Sequence, residues 1–108
     1  MKYKELIGKM VFVPRHDYTR EKFAYLASVE EDGRVTLLDF EGNREVTFET
    51  SVELREATKE EVVVEFLREI GFYRDLSELG NKKDELVDGM FAKLLEDGKN
   101  RAGQWIRC

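Results

Sequence analysis

Cysteine, proline, histidine and tryptophan each occur only once in these 108 residues. A lone cysteine, Cys108, cannot close an internal disulfide, so packing alone must hold the fold, and nothing calls for an oxidising compartment. The lone histidine, His16, sits beside Asp17 in a polar stretch, far from the clustered ligands a metal site needs. No serine or cysteine stands where a base could activate it. Phosphate loop, dinucleotide fingerprint, nucleophile elbow and HExxH helix are all missing. No apolar run approaches the about 20 residues that span a bilayer, and Lys2, Lys4 and Glu5 occupy the region where a secretory leader would be apolar. Basic excess is missing too. The 18 basic and 23 acidic residues give a net charge of −5. Residues 1–58 hold 9 and 12 of them, residues 59–108 hold 9 and 11, so neither half is an arm for phosphate. Arg15, Arg20 and Lys22 come nearest to a basic patch. The expectation is a cytoplasmic, non-catalytic protein without cofactor or metal.

What is present is apolar content of 42%, enough to bury a core. The first half alternates like short strands. Residues 9–15 (KMVFVPR) end at Pro14, which suits a strand edge. Residues 23–29 (FAYLASV) form a second strand, with Phe23, Tyr25, Ala27 and Val29 on one face. Glu31-Asp32-Gly33 makes a tight turn into a third strand at residues 35–40. Glu41-Gly42-Asn43 turns again into residues 45–50 (EVTFET), where strict alternation points Val46 and Phe48 inward. Val52 and Leu54 provide a short fifth strand. Short strands joined by tight turns predict a small closed five-stranded β-barrel, since closure removes free edges. The polar loop 15–22, which carries Tyr18, is the natural place for recognition.

These residues carry a resemblance. Tyr25-Leu26-Ala27, the apolar third strand, Gly42-Asn43-Arg44-Glu45 and the Val/Leu close are similar to the Tudor domains, the SH3-like barrels that read methylated arginine and lysine. The likeness covers residues 8–57. It implies an aromatic cage around a methylated cation, with Tyr25 at one cage position, Asn43 at the hydrogen-bonding position, and Phe40 or Tyr18 as further rings. Glu41 stands before Gly42 where the family has an aromatic, and Leu38 or Asp39 where it has a third-strand tyrosine. The alternative is that Tyr25 and Phe40 simply pack.

The second half, residues 59–108, reads as two helices and a short tail. Thr58-Lys59-Glu60-Glu61 is a capping box. Val62, Phe66 and Ile70 then share a stripe with Val63 and Leu67 beside it, up to Gly71. Asn81 caps a second helix whose stripe of Leu86, Val87, Met90, Phe91, Leu94 and Leu95 runs to Gly98. Gly89 lies inside it at a cost near 1 kcal/mol, tolerable where another backbone comes close. The Leu86, Met90, Phe91, Leu94 stripe either covers the barrel or forms a homodimer seam. Trp105 and Arg107 in the tail either dock a partner or close the core.

The α+β architecture without catalytic residues points to a protein-binding adaptor or regulator using Tyr18, Tyr25, Phe40, Asn43, Trp105 and Arg107. The alternatives are a small acidic inhibitor of phage type that blocks a host nucleic-acid enzyme or defence system, a nucleic-acid-associated factor, and a methylated-peptide reader.

Overall fold

Alternating apolar side chains on both faces of the same strands require cover on both sides of the sheet, and the chain supplies it from two sources. The computed structural model describes residues 3–15, 20–71 and 76–106. Strands β1 (Met10–Val13), β2 (Lys22–Val29), β3 (Arg34–Leu38) and β4 (Arg44–Phe48) form an antiparallel meander, and β5 (Arg55–Glu56) returns to pair with β1. Strand order is β4-β3-β2-β1-β5. Helix α1 (Lys59–Glu69) and helix α2 (Lys83–Ile106) follow, so the class is α+β.

The expected closure is not found. β4 and β5 stand at opposite edges, and among the described residues no ladder joins them. The sheet stays open because its second face is covered by helices rather than by its own curl. The expected fifth strand also shifts: Val52 and Leu54 are buried in the connection, and the two residues that pair are Arg55 and Glu56.

One face packs Val11, Val13, Ala24, Leu26, Val35 and Leu37 under Val52 and Leu54. Tyr3 fastens this layer. Its hydroxyl donates to the Val52 carbonyl at 2.9 Å and accepts from the Leu54 amide at 3.1 Å, so a segment without a ladder still has its buried polar groups satisfied. The other face packs Met10, Tyr25 and Leu38 with Ala57 and Val62, under Phe91, Leu94, Leu95 and Ala102 of α2. A third cluster, Val63, Leu67 and Val87, joins the two helices.

Three expectations about faces are corrected. Val29 packs on the opposite face from Phe23 and Tyr25, because the ladder register slips between Leu26 and Ser28; a bulge reverses alternation beyond it. Val46 and Phe48 are 51% and 52% exposed. They share the helix-side face, but on an edge strand that the helices leave bare. Ile70 is 61% exposed, since it caps the C-terminus of α1 beyond the packed stripe.

Helix α1 starts where the capping box predicts. Thr58 Oγ1 accepts from the Glu61 amide at 3.2 Å, and the Thr58 amide donates to Glu61 Oε1 at 3.0 Å. Its β-branched Val62 and Val63 are fully buried, so tertiary packing holds what propensity disfavours. Helix α2 departs from expectation at both ends. Asn81 lies in a 3-10 segment, Leu76–Lys82, that kinks at Gly80, and the helix runs through Gly98 for 24 residues. Gly98 is no terminator: it is where the helix backbone meets the sheet. A Cβ there would lie 2.6 Å from Tyr25 Cγ, whereas nothing lies within 4 Å of one at Gly89. The close approach expected at Gly89 occurs nine residues later.

Candidate functional site

Antiparallel pairing sets Phe12 opposite Phe23, and residues so paired share a face. Their rings lie 5.3 Å apart, inclined at 56°. α1 packs farther along the same face, so this pair is left as the floor of a cleft of about 650 Å³. Arg15 and Arg20, at the two ends of the β1–β2 loop, line it with Lys22, while Glu65 and Arg68 line it from α1. The three basic residues nearest to a patch in the sequence thus converge on one cleft. A shallower continuation along α1 shares Phe23, Glu65 and Arg68 and adds Val64, Glu60 and Glu61.

The charges around this cleft are unequally satisfied. Lys22 pairs with Glu45 across the sheet. Arg55 lies over the Phe12 ring, 4.7 Å from its centroid, and grips Glu61 with both nitrogens at 3.1 and 2.8 Å. That fork, together with the Thr58 amide, pulls the Glu61 carboxyl down to about 2, because hydrogen bonds to the charged form favour it. Glu60 is held by Lys83 at 2.7 Å. Arg68 is only loosely paired with Glu65, at 3.7 Å. Arg15 and Arg20 have no ion-pair partner among the described residues.

The positions singled out by the Tudor resemblance lie elsewhere. Tyr25 is 8% exposed beneath Gly98, and burial raises its hydroxyl pKa. Phe40 meets Phe66 of α1 edge-on at 5.5 Å. Both rings line a small cavity of about 50 Å³ with Gly98 and Arg101 of α2, so both face the chain's own helices. Asn43 is exposed in the β3–β4 turn, its backbone N–H donating to Asp39 Oδ1 at 2.8 Å. Arg101 braces that turn: its Nη1 donates to the Phe40 carbonyl at 3.1 Å, and its guanidinium lies against Gly42, whose φ of +86° suits only glycine at low cost. Trp105 belongs to the last turn of α2, with its side chain outside the described residues; Tyr18, His16 and Arg107 lie outside them altogether. Met90, Phe91 and Leu94 pack against the chain's own core, while Leu86 is 38% exposed.

Carboxylates gather at the far end of α1. Burial raises the Glu69 pKa, and Glu65, Asp39 and Glu41 raise it further. Among the described residues no group of three or more His, Cys, Asp or Glu is placed to hold a metal ion, and no helix is long and apolar enough to cross a membrane. No protein-family model, curated protein or solved structure matches the chain.

Phe12, Phe23, Glu65 and Arg68 escaped the sequence reading. Only the first two left a signal: setting the first two strand candidates antiparallel brings both phenylalanines into one cross-strand pair. The α1 contribution had none, because it depends on how the helix docks.

Proposed function

We propose that this chain is a non-catalytic protein-binding adaptor or regulator that receives its partner in the cleft between β1, β2 and α1. The observation that carries this reading is the Phe12–Phe23 pair on the floor of the cleft, flanked by Arg15 and Arg20, which have no ion-pair partner among the described residues. Aromatic surface beside arginine is the composition that dominates protein interfaces. The finer architectural reading, an SH3- or Tudor-like strand arrangement in a sheet that does not close, belongs to the same proposal. It is supported by the four-strand meander and by the return of β5 to β1.

Site-specific photo-crosslinking tests the reading. A photoreactive residue placed at Glu21 or Arg68, on the cleft, should yield a discrete protein adduct in source cells. The same residue at Glu53, on the connection that covers the other sheet face, should yield none. Equal labelling from all three positions, or none from the cleft, overturns it.

A second reading, the acidic inhibitor that blocks a host nucleic-acid enzyme, draws on the carboxylates of Glu65, Glu69, Asp39 and Glu41. It predicts that Asp39→Lys with Glu69→Lys abolishes capture of a basic partner while cleft variants leave it intact.

A further inference from the structure

We propose that the cleft takes a short acidic peptide segment whose carboxylates lie to one side of one aromatic or bulky apolar side chain. This rests on the protein-binding reading above and adds the chemistry of the partner.

Phe23 is the apolar surface on offer. Arg55 already covers the Phe12 ring at 4.7 Å from its centroid, whereas Phe23 lines both the cleft and its continuation, where Val64 extends the apolar floor. An apolar side chain seated there touches both strand and helix. Charge then sets where the rest of the segment lies. Lys22 is neutralised by Glu45 and Arg55 by Glu61, so neither contributes a free cation. Arg15 and Arg20 carry no partner among the described residues, and Arg68 is held only at 3.7 Å. With Glu21 also on the lining, the described side chains of the lobe near the β1–β2 loop keep one net positive charge, on a chain of net charge −5. The continuation carries no such excess, since its Glu60, Glu61 and Glu65 are paired with Lys83, Arg55 and Arg68.

This polarity selects a class of ligand. A nucleic-acid strand carries charge at every step and would meet cations at one lobe only, against the charge of the whole chain. A peptide can place its carboxylates over the arginines, its apolar side chain over Phe23, and uncharged residues beyond. Complementary charge of this kind fixes orientation and partner choice.

Fluorescence anisotropy on the full chain tests the proposal. The probes are two labelled nonapeptides, one with three Asp or Glu residues before a central Phe and Ser/Gly after it, the other with that sequence reversed, and the better binder of the two is carried forward. Saturable binding is expected, weakening about fivefold or more when the acids become amides or when salt rises from about 50 to 200 mM. Replacing the central Phe by Ser should weaken it comparably. Arg15→Glu with Arg20→Glu should weaken binding about tenfold, with an unchanged circular dichroism spectrum, while Glu53→Lys should not. The proposal is overturned by equal affinity for the amide peptide, by tighter binding of a single-stranded oligothymidylate, or by no saturation at millimolar peptide. Protein adducts at Glu21 and Arg68 without acidic-peptide binding would remove the ligand class alone. Loss of those adducts would remove the protein-binding reading beneath it.

Discussion

Gly98 of α2 rests on the ring of Tyr25 in β2, so closely that a Cβ at Gly98 would stand 2.6 Å from Cγ, 2.7 Å from Cδ2 and 3.0 Å from Cβ of that tyrosine. Cβ and Cγ lie too near the backbone to swing aside, so an added methyl must push the helix off the sheet. Gly98→Ala is expected to lower stability by about 1–3 kcal/mol through overpacking, although alanine by itself favours helix by about 1 kcal/mol. Gly89→Ala meets nothing within 4 Å, so there the helix preference acts alone and stability should rise by up to about 1 kcal/mol. Urea denaturation of the two variants should give shifts of opposite sign. Shifts of one sign would mean that α2 is not seated on Tyr25.

Tyr3→Phe removes one oxygen that serves two buried backbone groups, the Val52 carbonyl and the Leu54 amide. Unsatisfied buried polar groups cost about 1–3 kcal/mol, and that loss is expected here. Amide hydrogen exchange at Leu54 should accelerate more than at Leu37 in β3. Equal acceleration would place the damage in the whole sheet rather than at this fastening.

Acid should weaken the junction between β5 and α1 first. The folded Glu61 pKa is about 2 against an ordinary 4.5, so the charged form is the one the fold favours. Its contribution is complete above about pH 4.5 and is lost as pH falls toward 2. Glu61→Gln is expected to flatten the stability–pH curve across that window and to lower the plateau above it. An unchanged acid limb in the variant would show that the Arg55 fork does not hold Glu61 in solution. Thr58→Ala, which removes the cap, should cost about 1 kcal/mol at neutral pH.

Two apolar side chains on β4 should be dispensable for folding. Val46 and Phe48 are half exposed, so converting both to threonine, which keeps strand preference, is expected to change stability by less than about 1 kcal/mol. Leu37→Ala, at a position 1% exposed, should cost about 2–5 kcal/mol. Chemical denaturation separates the two, and a large loss in the threonine variant would mean that another surface covers β4.

Local signals were legible where one residue and its near neighbours decide the outcome. The capping box at Thr58–Glu61 needs only a four-residue span, and the turns at Gly33 and Gly42 need only a tolerated positive φ, so both stand where the residues place them. Val46 and Phe48 show the boundary of that reasoning. Their alternation was correct and their burial was not, because alternation tells which side chains share a face and not whether anything covers it. Of the site, Arg15, Arg20 and Lys22 could be nominated from proximity in sequence. Their meeting with Glu65 and Arg68 could not.

By itself, then, the sequence determined the first four strands, the turns, the start of α1, the absence of disulfide support and an even acidic balance, because each depends on short-range chemistry or on composition. Only the tertiary structure decided that the sheet stays open, that Gly98 is a seat and not a stop, and that two phenylalanines and two arginines share one cleft. Those outcomes turn on which surfaces meet across many residues of chain. A glycine that ends one helix and a glycine that lets another lie flat on a tyrosine look alike until the tyrosine is in place.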